Sequence, residues 1–288
     1  MRATKKAGAV VAVLAGAVVP VLAPVADAQV SAVADVQVSA VADARVGAFV
    51  AYHGVTGAQQ TAKFEQLRAQ GYRPITVNVS DGERYAAVWV KGGSSSAWLM
   101  YQGMSASGYQ KRFDAAVRDG FQPVSVSATG AGGSAVFAAV FEKKGGAFLA
   151  RSGLTPAQFA AANRDAAGRG LALTSVDVYG AAGDLRYAAV WAANPGGTWY
   201  YTYGKTAAQH QAEFQSRVKA GYRPVRIAVG PDGTYTAVWR KDGLKSWAHY
   251  VGMSSSGYQR RFDALNAKGL YPVQVNAENG VYAAIWVK

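Results

Sequence analysis

Residues 103–115 read GMSASGYQKRFDA and residues 252–264 read GMSSSGYQRRFDA, with two differences in thirteen positions at an offset of 149. A chain that says nearly the same thing twice is iterating a structural unit or a binding surface, because a reaction centre needs building only once. Working outward from this pair, the repetition extends to five units. Each closes on an aromatic strand: YAAVW at 85–89, FAAVF at 137–141, YAAVW at 187–191, YTAVW at 235–239 and YAAIW at 282–286. The intervals are 52, 50, 48 and 47 residues.

Each unit also holds a glycine, one variable residue and then a hydroxyl: Thr56, Ser105, Thr155, Thr206 or Ser254. That hydroxyl reads as a helix N-cap, and Gln59, Gln158 and Gln209 complete capping boxes in units one, three and four. Eight residues past the cap stands Phe64, Phe113, Phe214 or Phe262, while unit three departs from the pattern with Asn163. Seven further comes a glycine suited to a left-handed stop, Gly71, Gly120, Gly170, Gly221 or Gly269. Pro74, Pro123, Pro224 and Pro272 follow, where a helix cannot resume. The spacing predicts one helix of about fourteen residues per unit.

Three short strands surround each helix. One precedes the cap, as in AWLMYQG; one follows the proline, as in ITVNV and VQVNA; the third is the aromatic strand. Asp81-Gly82, Pro231-Asp232-Gly233 and Asn279-Gly280 are hairpin turns between the last two. The expected fold is therefore α+β: five tandem β-α-β-β repeats forming a curved or ring-like, mostly antiparallel sheet with helices packed on one side. The units run over about 47–92, 93–144, 145–194, 195–242 and 243–288. Unit four resembles unit one and unit five resembles unit two, as though a block of three had been copied and the copy stopped one unit short. Because a repeat stack exposes its ends, ring-like closure or an edge sheltered by a partner is expected.

Ahead of the repeats, Arg2, Lys5 and Lys6 precede the apolar run AGAVVAVLAGAVV, Pro20 and the small-residue site Ala26-Asp27-Ala28. Residues 1–28 read as a secretory signal peptide, with an apolar run too short to span a membrane. Residues 29–46 are an Ala/Val/Ser-rich leader built on the octapeptides VADAQVSA, VADVQVSA and VADARVGA, expected to be disordered. Removal of 1–28 takes away three cations and one anion, so the formal charge of +13 falls to +11. In a secreted protein such a balance favours anionic wall polymers or acidic proteins as partners. The Lys and Arg residues are scattered with no dense basic run, which argues against nucleic acid. With no cysteine, neither a disulfide framework nor a thiolate metal site is available.

The motifs that resemble chemistry read better as structure. GMSAS and GMSSS miss the nucleophile elbow G-x-S-x-G at the final glycine, and Thr fills the serine position in the other three units. Ser216 and Lys219 have S-x-x-K spacing, but on a mostly polar helix face and without the companion motifs of β-lactamase-like enzymes. His53, His210 and His249 fall at different positions of different units, so no i, i+4 metal pair exists. No catalytic residue, metal ligand or cofactor is assigned.

Two sets of residues could form a repeated contact surface. The helical set is Tyr109, Arg112 and Asp114 with Tyr258, Arg261 and Asp263; the strand set is Trp98, Tyr101, Trp199, Tyr201 and Trp247. Aromatic rings with polar handles suit sugar stacking. The i, i+4 aromatics of the closing strands are either core or an exposed stripe, depending on hairpin register. A Pro-Asp-Gly loop in unit four would pair Tyr235 with Val229 and Val225, whereas a three-residue Glu-Asn-Gly loop in unit five would set Tyr282 beside Asn276.

The G-h-[S/T], Y-Q-x-R-F-D, G-Y-x-P and Y-A-A-V-W elements together resemble the bacterial tandem repeat domain family. They are also similar to the repeat region preceding the β-lactamase-like domain of fungal polyglycine hydrolases. The resemblance covers about Gly47 to Lys288 and implies a curved sheet with helices along it, often beside a serine hydrolase domain. This sequence holds no such domain, so the resemblance carries over no activity and no binding residue. The expectation is a secreted, non-enzymatic recognition or scaffold module for a cell-surface polysaccharide or protein. The alternative is an accessory or inhibitory module for a separate secreted serine peptidase or β-lactamase-like hydrolase.

Overall fold

The computed structural model describes residues 48–92 and 94–288; the signal peptide and leader expected over 1–46 lie outside the described residues. Unit one contains β1 (Ala48–Val55), α1 (Gly57–Ala69), β2 (Tyr72–Ser80) and β3 (Arg84–Lys91). Unit two contains β4 (Trp98–Met104), α2 (Ala106–Arg118), β5 (Phe121–Thr129) and β6 (Val136–Lys143). Unit three contains β7 (Phe148–Leu154), α3 (Pro156–Gly168), β8 (Leu171–Ala181) and β9 (Asp184–Ala193). Unit four contains β10 (Thr198–Lys205), α4 (Ala207–Lys219), β11 (Arg223–Val229) and β12 (Tyr235–Lys241). Unit five contains β13 (Trp247–Met253), α5 (Ser255–Asn266), β14 (Tyr271–Glu278) and β15 (Val281–Val287). The β-α-β-β reading holds throughout.

All five hydroxyls cap their helices, each accepting a backbone N–H three residues on, and all three expected capping boxes form. The glycine two residues before each cap has a second role that spacing alone did not reveal. The first strand bulges there in every unit, with φ between +61° and +72°, a conformation that strains any residue with a Cβ. Pro74, Pro123, Pro224 and Pro272 lie inside the second strands, each beside a register shift where a ladder donor is dispensable.

Within each unit the aromatic strand is central and the order is first, third, second: β1-β3-β2 and its four equivalents. Among the described residues these are five separate three-stranded sheets, with no backbone ladder from one to the next, instead of the one continuous sheet expected. The Y-A-A-V-W pattern explains how they associate. Tyr85, Ala87 and Trp89 face their own helix, with Leu67 of α1 and half-buried Phe64. Ala86 and Val88, on the other face by strand alternation, enter the core of unit five beside Trp286. Each following unit repeats this, giving its alanine and valine-type face to the unit before it. The five cores are thus cyclic, and unit five closes on unit one.

This arrangement buries Trp89, Trp191, Trp239 and Trp286 completely. The closing strands are core, and the exposed-stripe alternative does not hold. Unit five turns through two residues, Asn279 and Gly280, both at positive φ, so Glu278 pairs with Val281 and Ala277 with Tyr282. This corrects the three-residue loop that would have set Tyr282 beside Asn276. In unit four Val229 pairs with Tyr235, as the Pro-Asp-Gly loop implied.

Departures from the repeat are compensated locally. The indole N–H of Trp89 donates to Tyr52 and that of Trp239 to Thr202. Unit three has Arg151 at the corresponding strand position, and there Asn163 accepts from Trp191 at 2.9 Å. The position at which the other four helices carry phenylalanine thus supplies, in unit three, the acceptor its buried indole needs. Likewise Phe137 lacks the hydroxyl of its four tyrosine counterparts, and Tyr179, packed edge-on against it, accepts instead from the Gly153 N–H.

Candidate functional site

Because the second strand lies at one edge of every sheet, its outer N–H and C=O groups have no ladder partner. Strands β2, β5, β8, β11 and β14 pack side by side around a common axis, where those groups must be satisfied away from bulk water. Alternate residues of each strand do this. Ser125 and Ser127 accept from the N–H groups of Val77 and Val79, Ser175 and Asp177 from those of Val126 and Ala128. Gln274 and Asn276 accept from Ile227 and Val229, and Asn78 accepts from Ala277 to complete the circuit between units five and one.

Three polar layers result. The first holds Thr76, Ser125, Ser175, Arg226 and Gln274; the second holds Asn78, Ser127, Asp177, Ala228 and Asn276. Ser80, Thr129 and Glu278 belong to the third. Non-adjacent units meet directly: Asn276 donates to Asp177 at 2.8 Å, spanning the unit where Ala228 leaves room. Thr129 donates to both oxygens of Glu278 at 3.0 Å, across the unit that carries Ser80.

Burial pushes the Asp177 carboxyl up to about 6, although Ser127, Asn276 and the N–H groups of Ala128 and Val178 favour its charge. Burial likewise pushes Glu278 up to about 8, the charges of Asp177 and Asp81 adding to the effect and the Thr129 bond opposing it. Outside the axis, His210 and His249 meet Nε2 to Nε2 at 3.0 Å between units four and five. Burial lowers His210 to about 4 and His249 well below its ordinary value, so the pair is neutral and one ring donates to the other. Among the described residues no group of three His, Asp or Glu is arranged to hold a metal ion.

A family model described as polyglycine hydrolase-like, structural repeat, matches residues 46–92, 95–144, 145–194, 196–242 and 245–288. The chain belongs to that family. Within the matched spans the capped helix, the bulge and the aromatic strand recur five times, while the axial side chains change from copy to copy.

The expected binding residues separate into three groups within this repeat. Tyr109, Trp247 and Tyr258 are buried, so the expectation that they face a ligand is corrected. Tyr109 stacks on Phe137 and Tyr258 on Trp286, because the fourth residue past the cap faces the aromatic strand. Trp98 is half-buried against Trp89 and Phe64. Arg112 and Arg261 cover Tyr101 and Tyr250 at 4.9 and 4.7 Å, while Asp114 and Asp263 are exposed and accept from Gln110 and Gln259 of their own helices. These helical residues form local pairs and no joint surface.

Trp199 and Tyr201 belong to a different arrangement. On β10, the outer strand of the fourth sheet, Trp199, Tyr201 and Tyr203 form a row with ring centroids 6.2 and 6.1 Å apart and interplanar angles of 29° and 17°. Tyr201 and Tyr203 rest edge-on against Phe159. On the other strand face Tyr200 lies 3.6 Å beneath the Arg217 guanidinium. Tyr200 and Tyr203 are the large hydrophobic side chains left exposed among the described residues.

Proposed function

We propose that this repeat domain is a secreted, non-enzymatic recognition module that holds a cell-surface polysaccharide along the outer edge of unit four. The aromatic row on β10 carries the proposal. Three near-parallel rings with polar handles offer apolar faces and edges to sugar rings, and the Arg217 guanidinium beside Tyr200 adds donors for hydroxyl or carboxylate groups. The other units place less aromatic surface at this edge: the strand positions of Tyr201 and Tyr203 hold Ala51 and His53 in unit one, and Ala150 and Ser152 in unit three.

The non-enzymatic reading is supported by the roles of the candidate nucleophiles. Ser105 and Ser254 accept from Gly108 and Gly257 as caps, and each has a second serine, Ser107 or Ser256, as its other neighbour instead of a base. Ser216 and Lys219 are both exposed on α4.

Retention on insoluble chitin, cellulose or peptidoglycan tests the proposal. Binding to one polymer is expected, with Trp199→Ala and Tyr203→Ala each weakening it by roughly tenfold, as loss of one stacking contact implies. Failure on all three, with saturable binding to a secreted serine hydrolase, would replace it with the accessory-module reading. Fluorophosphonate labelling of Ser105, Ser216 or Ser254 would overturn the non-enzymatic assignment.

A further inference from the structure

The first axial layer contains one residue out of keeping with its neighbours. Four units place a neutral polar side chain there, and unit four places Arg226. Its guanidinium donates from Nε to the Thr174 carbonyl and from Nη1 to the Val225 carbonyl, both at 2.7 Å. Among the described residues it forms no ion pair, and no acceptor lies on Nη2. The charges that face it are Arg240 and Arg223, both repulsive. Asp242, the carboxylate of this region, is held by Arg223 through three close contacts of 2.6 to 3.1 Å. In the next layer the oxygens of Asp177 are already taken by Ser127, Asn276 and two backbone N–H groups.

Arg226 borders a recess at this end of the axis, shared with Thr76, Ser125, Ser175, Gln274 and Asn276, with room for about one water molecule. The spare hydrogens point to donation. Ser175 accepts from Val126, but its own proton has no acceptor among the described residues. The Gln274 and Asn276 amides each commit one N–H, to the Ile227 carbonyl and to Asp177, and keep a second. Arg226 is half-buried, and a guanidinium partly withdrawn from water without a counter-charge is costly. Here it sits beside a hole lined by surplus donors.

We propose that this recess is an anion site that takes one halide ion, chloride in ordinary media, between Arg226 and the Ser175 hydroxyl. The narrow inner space of the recess suits a single halide, which replaces one water, better than sulfate, phosphate or a whole carboxylate group, which require several times that space. The ion supplies the counter-charge that Arg226 lacks and draws the second strands of units two, three, four and five to a common point. The proposal is independent of the polysaccharide reading, because the recess is built from the axial strands and the aromatic row from the outer ones.

Thermal unfolding of the whole protein in sodium chloride, sodium bromide and sodium methanesulfonate at equal ionic strength tests it. Tm is expected to rise with halide and to stay flat with methanesulfonate, and crystals grown in bromide should show one anomalous peak within hydrogen-bond reach of Arg226. In Arg226→Met the halide-dependent shift should vanish. Should that variant not fold, Ser175→Ala, which keeps the guanidinium, is expected to weaken the halide dependence severalfold. Equal stabilisation by all three salts, a halide shift retained in both variants, or only water density in the recess would each overturn the proposal.

Discussion

The outer and inner halves of this molecule use repetition in opposite ways. Around the outside, each unit repeats one solution: a hydroxyl cap, a bulge glycine, a helix aromatic and a strand whose two faces serve two neighbouring cores. Along the axis no two units carry the same set of side chains: T-N-S, S-S-T, S-D-Y, R-A-G and Q-N-E. The outer contacts join each unit to its neighbours in the cycle, so one apolar pattern suffices for all. The axial residues must satisfy one another at a single point, and five identical side chains cannot do that. A ring of five asparagines would crowd the second layer, whereas Ala228 opposite Asn276 and Asp177 leaves a path for the bond between them. Identity is therefore a property of the shell and individuality a property of the axis.

The largest effect should come from breaking the shell. Trp239→Ala removes a fully buried indole packed on Phe214 and His210, and should cost about 3–5 kcal/mol in denaturant unfolding. Tyr200→Ala, a ring of similar chemistry outside the shell, should stay within about 0.5 kcal/mol. Breaking the axis comes next. Asn78→Ala leaves the buried Ala277 N–H without its acceptor and removes one of the two donors to Ser127, and should cost about 1–3 kcal/mol.

The two regions should also separate by pH. Glu278 holds its proton more tightly in the folded protein than at its ordinary value of 4.5. Its contribution is therefore complete below pH 4.5 and is lost as pH rises through about 8. Asp177 acts in the same direction at lower pH, with loss as pH rises through about 6. The shell pair runs oppositely: His210 is lowered from 6.5 to about 4, so its contribution is complete above pH 6.5 and fades as pH falls towards 4. Among the described groups with a resolved shift, Glu278 is the one whose folded value falls between pH 6.5 and 8.5. Urea midpoints between pH 6.5 and 8.5 should decline in the parent protein and stay level in Glu278→Gln; parallel declines would refute the axial assignment. The smallest expected effect is a single cap: Thr206→Ala should lower stability by about 1 kcal/mol.

Legibility in the sequence followed the same division. Caps, helix stops and the β-α-β-β order could be read because each depends on a few neighbouring residues and is written five times. The bulge glycines were visible as a motif, but their positive φ was not, since a glycine before a cap has several local explanations. The axis was hidden for a different reason. Alternating residues such as those of ITVNVS and VQVNAE normally mark a solvent face, and only cyclic closure turns that face inward. Tyr109 and Tyr258 were misplaced because Arg112, Asp114, Arg261 and Asp263 beside them suggested a polar helix face, whereas the fourth residue past the cap always faces the aromatic strand. The row on β10 was half legible, through Trp199 and Tyr201, while Tyr200 and Tyr203 escaped notice because no other unit has tyrosine, tryptophan or phenylalanine there.

Closure of unit five on unit one is the proposition on which the axis depends. At that junction His53 Nε2 lies 3.2 Å from the Ser255 hydroxyl, 202 residues away in sequence. The chain contains no cysteine, so His53→Cys with Ser255→Cys introduces one pair of thiols on the two sides of the junction, close enough for a short bis-maleimide to bridge them. Treatment of the dilute protein should give a monomeric, internally cross-linked species. Two singly modified thiols in a linear monomer, or cross-linking only between separate molecules, would show that the two ends do not meet.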